Sequence, residues 1–205
     1  MKRQTYKLGL ALAVLLLVGA ATSASAMAAS EWLLNGAAIA TAMAVNSKGS
    51  LKFADSKGGL FGEKLELECE ATDKGTVGPG TSDHISQFTT AKCTTLTGIC
   101  GAPEFVDALH LGWDTTLALV GTEWRDKIEN GGTGIPGWEI VCDGFVEDEC
   151  TGETSTELDN TPGGVNGLFN AKSAKFNCTR GGTGAGTEVG NDLTESPAGE
   201  TLSVS

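Results

Sequence analysis

Lys64-Leu65-Glu66-Leu67-Glu68-Cys69-Glu70-Ala71 puts Leu65, Leu67, Cys69 and Ala71 on one face and the Lys and Glu side chains on the other. That period is two rather than 3.6, so the stretch predicts a half-buried β-strand. Downstream, residues 75–83 are dense in turn formers and lead through residues 85–90 toward Cys93, the pattern of a hairpin with a long loop. Upstream, Ser50-Leu51-Lys52-Phe53-Ala54 alternates in the same way, after an apolar stretch (Trp32-Leu33-Leu34-Asn35-Gly36, then residues 38–45) and a predicted turn at Asn46-Ser47-Lys48-Gly49.

Beyond the hairpin, residues 107–119 read as one strand, with Leu109, Leu111 and Trp113 on one face. Residues 124–129 read as a short helix or the end of that strand, and Asn130-Gly131-Gly132-Thr133-Gly134-Ile135-Pro136-Gly137 as a loop. Strands are predicted at residues 138–142, from Cys150 through 156, within 168–178 and at 200–204, separated by turns at 159–164 and 181–186. Short apolar segments, 29 Gly to supply turns and no long amphipathic pattern imply an all-β antiparallel sandwich or barrel.

The first 26 residues read differently. Lys2, Arg3 and Lys7 precede an apolar run over residues 8–18, and small residues end in Ala24-Ser25-Ala26. This is the order of a cleaved signal peptide, expected to be helical, and the apolar run is too short for a membrane span of about 20 residues. The reading is therefore a leader over 1–26, a linker over 27–30 and one β domain over 31–205, with no stable membrane anchor after cleavage. Cleavage removes three of the 14 basic residues and no acidic one, leaving 11 against 26 acidic and a formal charge of −15. Such a surface repels phosphate backbones, which excludes nucleic acid as an expected partner.

Cys69, Cys93, Cys100, Cys142, Cys150 and Cys178 are an even set in an exported chain, and three disulfides are expected. Locality suggests Cys93 with Cys100, Cys142 with Cys150 and Cys69 with Cys178; the alternative joins Cys69 to Cys93 and leaves Cys100 to Cys178. Zinc is disfavoured, because no Cys-x-x-Cys occurs and only His84 and His110 could assist.

No catalytic residues are assigned. His110 and Asp114 would lie about 13 Å apart along a strand at roughly 3.3 Å per residue. Gly-x-Ser-x-Gly and Ser-x-x-Lys are absent, and the 26 acidic residues offer too many carboxylate pairs to single one out. Asp143, Glu147 and Asp148, between Cys142 and Cys150, are weak Ca²⁺ candidates, and calcium is the sole cofactor expectation. Residues 181–190 satisfy no phosphate-loop pattern. Trp32, Trp113, Trp124 and Trp138 are candidates for ligand stacking if exposed and for core filling if buried.

A resemblance rests on Cys69-Glu70 with Gly75-x-Val77-Gly78-Pro79-Gly80, on Lys92-Cys93-Thr94, Pro136-Gly137-Trp138 and Cys150-Thr151-Gly152-Glu153-Thr154, and on the terminal Gly199-Glu200-Thr201-Leu202-Ser203-Val204-Ser205. Over most of the mature chain it resembles a group of uncharacterised secreted bacterial proteins. That resemblance implies no activity, ligand or functional residue. The expectation is a secreted or envelope-associated, non-enzymatic β-domain that binds an extracellular ligand or envelope component, with a secreted glycosidase-like hydrolase as the rival.

Overall fold

The computed structural model describes residues 30–59, 61–102, 104–142, 147–170, 174–179 and 184–205. The expected leader helix lies outside them. Among the described residues there are fifteen strands and no helix, and every pairing is antiparallel.

Four long strands form a spine: β3 (Met43–Asp55), β4 (Leu65–Val77), β5 (Ser82–Thr97) and β14 (Gly184–Glu195). At one end of the spine, β7 (Trp113–Val120), β8 (Glu123–Asn130), β11 (Thr154–Thr161) and β12 (Gly164–Phe169) continue the sheet from β5, and β12 pairs with the second half of β14. Those eight strands close a ring, so the barrel alternative describes this half. At the other end, the first half of β14 pairs with β13 (Lys175–Cys178), followed by β10 (Glu147–Thr151), β9 (Gly137–Val141) and β6 (Phe105–Leu109). β6 returns to β5, where Thr90 Oγ1 donates to the Val106 carbonyl at 2.8 Å and accepts from its N–H at 3.1 Å. The spine therefore serves two curved lobes.

The period of two decides what faces inward. On β4, Leu65, Leu67, Cys69 and Ala71 are buried, joining Phe53, Val106, Trp138, Ile140 and Phe176 in the core of the second lobe. Val45, Val77, Leu117, Leu158 and Val165 fill the far end of the closed ring. There a small sheet of β1 (Trp32–Leu34), β2 (Ala37–Ala38) and β15 (Leu202–Val204) caps the barrel with Trp32, Leu202 and Val204. Asn160 locks that cap: its amide donates to the Val204 carbonyl at 3.0 Å and its oxygen accepts the Val204 N–H at 2.8 Å. Asn160→Ala should cost about 1–3 kcal/mol, because both backbone groups of Val204 lose their partner. An unchanged urea midpoint in that variant would show the clamp to be dispensable.

Several predicted turns are strand. Asn46-Ser47-Lys48-Gly49 lies inside β3 and Gly75 inside β4; a Cβ at Gly49 would overlap the Asn191 carbonyl, and one at Gly75 the His84 carbonyl. These glycines permit close backbone approach, at a register shift in the case of Gly75, instead of reversing the chain. Conversely, residues 107–119 are two strands, broken at His110-Leu111-Gly112, where His110 and Gly112 have φ of 53° and 92°. Residues 123–130 are strand β8, not helix.

The disulfides are Cys69–Cys93, Cys100–Cys142 and Cys150–Cys178, so neither predicted local loop is closed on itself. Cys69 and Cys93 sit on adjacent strands with Cα atoms 4.1 Å apart, the one pairing that the alternative scheme contains. Cys150 lies opposite Trp138 in the β9–β10 hairpin and opposite Cys178 on β13. Cys142 is four residues beyond Trp138, about 13 Å along the strand at roughly 3.3 Å per residue. Two spine strands, β3 and β14, separate Cys69 from Cys178. Three disulfides are typical of extracytoplasmic proteins.

Candidate functional site

The same alternation that buries leucines on β4 continues to Asp73, which is buried. Its neighbours across the ring interior are Asp192 and Glu188 of β14, while Asp83 of β5 faces Asp126 of β8. Five carboxyl groups thus occupy the middle of the barrel, between the two apolar clusters. A cavity of about 70 Å³ adjoins them, lined by Asp73, Asp83, Asp126 and Asp192 together with Ser47 and Thr194.

No lysine or arginine forms an ion pair with these groups among the described residues. Protons take that role. Burial holds the Asp73 carboxyl well above the ordinary range, and a hydrogen bond to Asp192 and the charges of Asp192 and Glu188 add to the effect. Asp192 is raised as well, by burial, against the opposing effect of the Asp73 hydrogen bond, so the pair as a unit holds a proton to higher pH than an exposed carboxyl would. In the second pair, burial and then the Asp126 charge raise Asp83, against a hydrogen bond from the Thr115 hydroxyl. Asp126 itself is lifted to about 6 by burial, held down by hydrogen bonds from Thr115, Asp83 and the Lys127 N–H. Glu188 is pushed up to about 8 by burial and the Asp192 charge.

A third pair lies in the other lobe. Asp55 ends β3 and Asp148 is in β10; both are fully buried, against the Cys150–Cys178 disulfide. Ligand atoms of Asp55, Asp148, Cys150 and Cys178 all lie within 4.8 Å of one another. The Lys57 N–H donates to Asp55 Oδ1 at 3.1 Å. Burial pushes Asp148 up to about 8, followed by its hydrogen bond with Asp55 and the Asp55 charge.

Comparison with protein-family models, curated proteins and solved structures yields no match.

The four tryptophans are core or core-adjacent: Trp32 and Trp138 are 2% exposed, Trp113 is 9% exposed, and half-buried Trp124 packs on the capped end of the barrel. Trp32, Trp113 and Trp138 therefore fill space. Of the calcium candidates, Asp143 lies outside the described residues and Glu147 begins β10, while Asp148 points into the core, so the solvated loop cluster expected from sequence is not what positions Asp148. His110 bonds Thr133 at 3.0 Å, and Asp114 instead meets His84 across the β5–β7 pairing at 2.9 Å.

Sequence reasoning missed the three acid pairs. One signal was there to be used: Asp73 is in phase with Leu65, Leu67, Cys69 and Ala71, and so on the buried face of the most legible strand.

Proposed function

We propose that this chain is a secreted or envelope-associated β-domain with a binding or structural role, not an enzyme. What carries the reading is the placement of the carboxyl groups inside the barrel: Asp73, Asp126, Glu188 and Asp192 are buried beside other acids of the set, and only Asp83 is half-buried. The residues 1–26, with their basic start and Ala24-Ser25-Ala26 ending, support export, and the disulfides are in keeping with an oxidising compartment. The described residues include no helix long and apolar enough to cross a membrane. The outer face of the spine carries charged side chains joined as Lys48–Glu195, Lys52–Glu68 and Lys92–Glu70. The partner on this reading is an extracellular ligand or an envelope component.

The rival, a glycosidase-like hydrolase, would draw on Asp83 and Asp126, since Asp83 is the half-exposed member of the set. Glycosidase carboxyls stand about 5–9.5 Å apart and open to the scissile bond or a water, whereas Asp126 is buried and Asp83 Oδ1 is taken up by the Thr115 hydroxyl. The purified mature chain should therefore be retained on an envelope polysaccharide or peptide matrix without releasing product. Turnover that disappears in Asp126→Asn would overturn the proposal.

A further inference from the structure

We propose that Asp55, Asp148, Cys150 and Cys178 form a buried four-ligand Zn²⁺ site in the dithiol state of the chain, a site that the Cys150–Cys178 disulfide closes. Two sulfurs and two carboxylates converge from three strands, with donor atoms within 4.8 Å of one another. A tetrahedral zinc ion with Zn–S near 2.3 Å and Zn–O of about 2.0–2.2 Å spaces its ligands by roughly 3.3–3.8 Å, inside that span. The mixed thiolate–carboxylate set suits zinc better than the harder calcium or magnesium.

A second observation points to a ligand. Asp55 Oδ2 and Asp148 Oδ1 are fully buried, and neither receives a hydrogen bond from any donor outside the acid pair. The outer oxygen of Asp55 is already engaged: Oδ1 accepts the Lys57 N–H at 3.1 Å and the Ser56 hydroxyl at 3.4 Å, leaving Oδ2 turned inward. Backbone presses on both carboxylates, since a Cβ at Gly58 would come within 2.6 Å of Asp148 Oδ2 and one at Gly184 would overlap the Asp55 carboxyl. Ligands held from behind in this way are oriented before the metal arrives.

The disulfide explains why the site is closed in the oxidised chain. Bridged sulfurs are not thiolates and bind zinc poorly, which leaves two oxygens where four donors are needed. A dithiol reductant opens it by exchange. It gives up two electrons and two protons and becomes a disulfide, while the Cys150–Cys178 bond breaks to two thiols. Zinc then takes both sulfurs as thiolates, and their protons pass to solvent. A small-molecule disulfide reverses the sequence: exchange re-forms the Cys150–Cys178 bond, the oxidant takes up two electrons and two protons to become a dithiol, and the ion is expelled.

The test uses the full mature chain reduced with a water-soluble phosphine and titrated with Co²⁺ as the optical probe. The expected result is one tetrahedral Co²⁺ with thiolate charge-transfer absorption, displaced by equimolar Zn²⁺. Cys150→Ser with Cys178→Ser should abolish the charge-transfer band, and Asp55→Asn with Asp148→Asn should weaken binding by at least about tenfold. Cys100→Ser with Cys142→Ser should leave the spectrum unchanged, and the unreduced chain should show none. A charge-transfer band that persists in the double serine variant, affinity undiminished in the double asparagine variant, or no tetrahedral signal in a reduced chain with its strand circular dichroism intact, would overturn the proposal. If reduction unfolds the chain, saturating Zn²⁺ should restore the strand signal, and a chain that stays unfolded also counts against the site.

Discussion

Raising the pH from about 5 to about 9 should destabilise this protein steadily, the reverse of the usual behaviour of a carboxylate-rich domain. Glu188 is the clearest contributor: its carboxyl titrates near 4.5 when unfolded and is pushed up to about 8 by burial in the fold. Below the lower value both states are protonated. Between the two values only the folded state holds the proton, so each rise in pH favours unfolding, and above the upper value the effect levels off. A shift of this size corresponds to on the order of 4 kcal/mol across the window, and Asp126, lifted to about 6, adds to it at the acid end. Asp73, Asp83 and Asp192 are displaced in the same direction. Urea unfolding at three pH values measures the slope directly. Because the net negative charge of the whole chain also grows with pH, Glu188→Gln is the control: it removes the local titration and should flatten the profile by several kcal/mol. A wild-type stability that climbs between those pH values would contradict the placement of the buried acids.

The largest single-residue loss is expected at Trp138. Its ring centroid lies 5.6 Å from those of both Phe53 and Phe176, in edge-on arrangements, and the side chain is 2% exposed. Gly186 makes room for it, since a Cβ there would stand 3.1 Å from the indole and 2.8 Å from Cys178 Sγ. Trp138→Ala should therefore cost about 3–5 kcal/mol, the range for emptying an aromatic site in a core that relaxes only partly. Trp138→Phe is the informative companion. The buried indole Nε1 has no hydrogen-bond partner, so the phenyl ring gives up volume but also removes an unsatisfied donor. It should lose well under half of what alanine loses. Equal losses in the two variants would mean that packing at this position is not what the indole contributes.

Some of this architecture is legible in the residues. The alternation in residues 64–71 identifies β4, and with it the antiparallel, all-β character of the chain. Glycine misleads where its absent side chain matters more than its backbone freedom: Gly49, Gly75 and Gly186 lie within strands because neighbouring carbonyls or Trp138 come too close for a Cβ. Cysteine pairing follows register between strands distant in sequence, and nothing local says that Cys150 stands opposite Cys178. The acid pairs are hidden by the number of carboxylates available, although Asp73 betrays itself by its phase. Asp55 is likewise in phase with Leu51 and Phe53 on β3, but its partner Asp148 is not legible locally, since β14 and β13 lie between their strands in the sheet.

The spine strands have a consequence for how the chain can be divided. Because β3, β4, β5 and β14 each run through both lobes, no cut of the polypeptide yields either half as a self-sufficient fragment. β14, which belongs to both, comes from near the end of the sequence and must lie against β3 from near its beginning. An emerging chain consequently cannot finish one half and set it aside while the other is made.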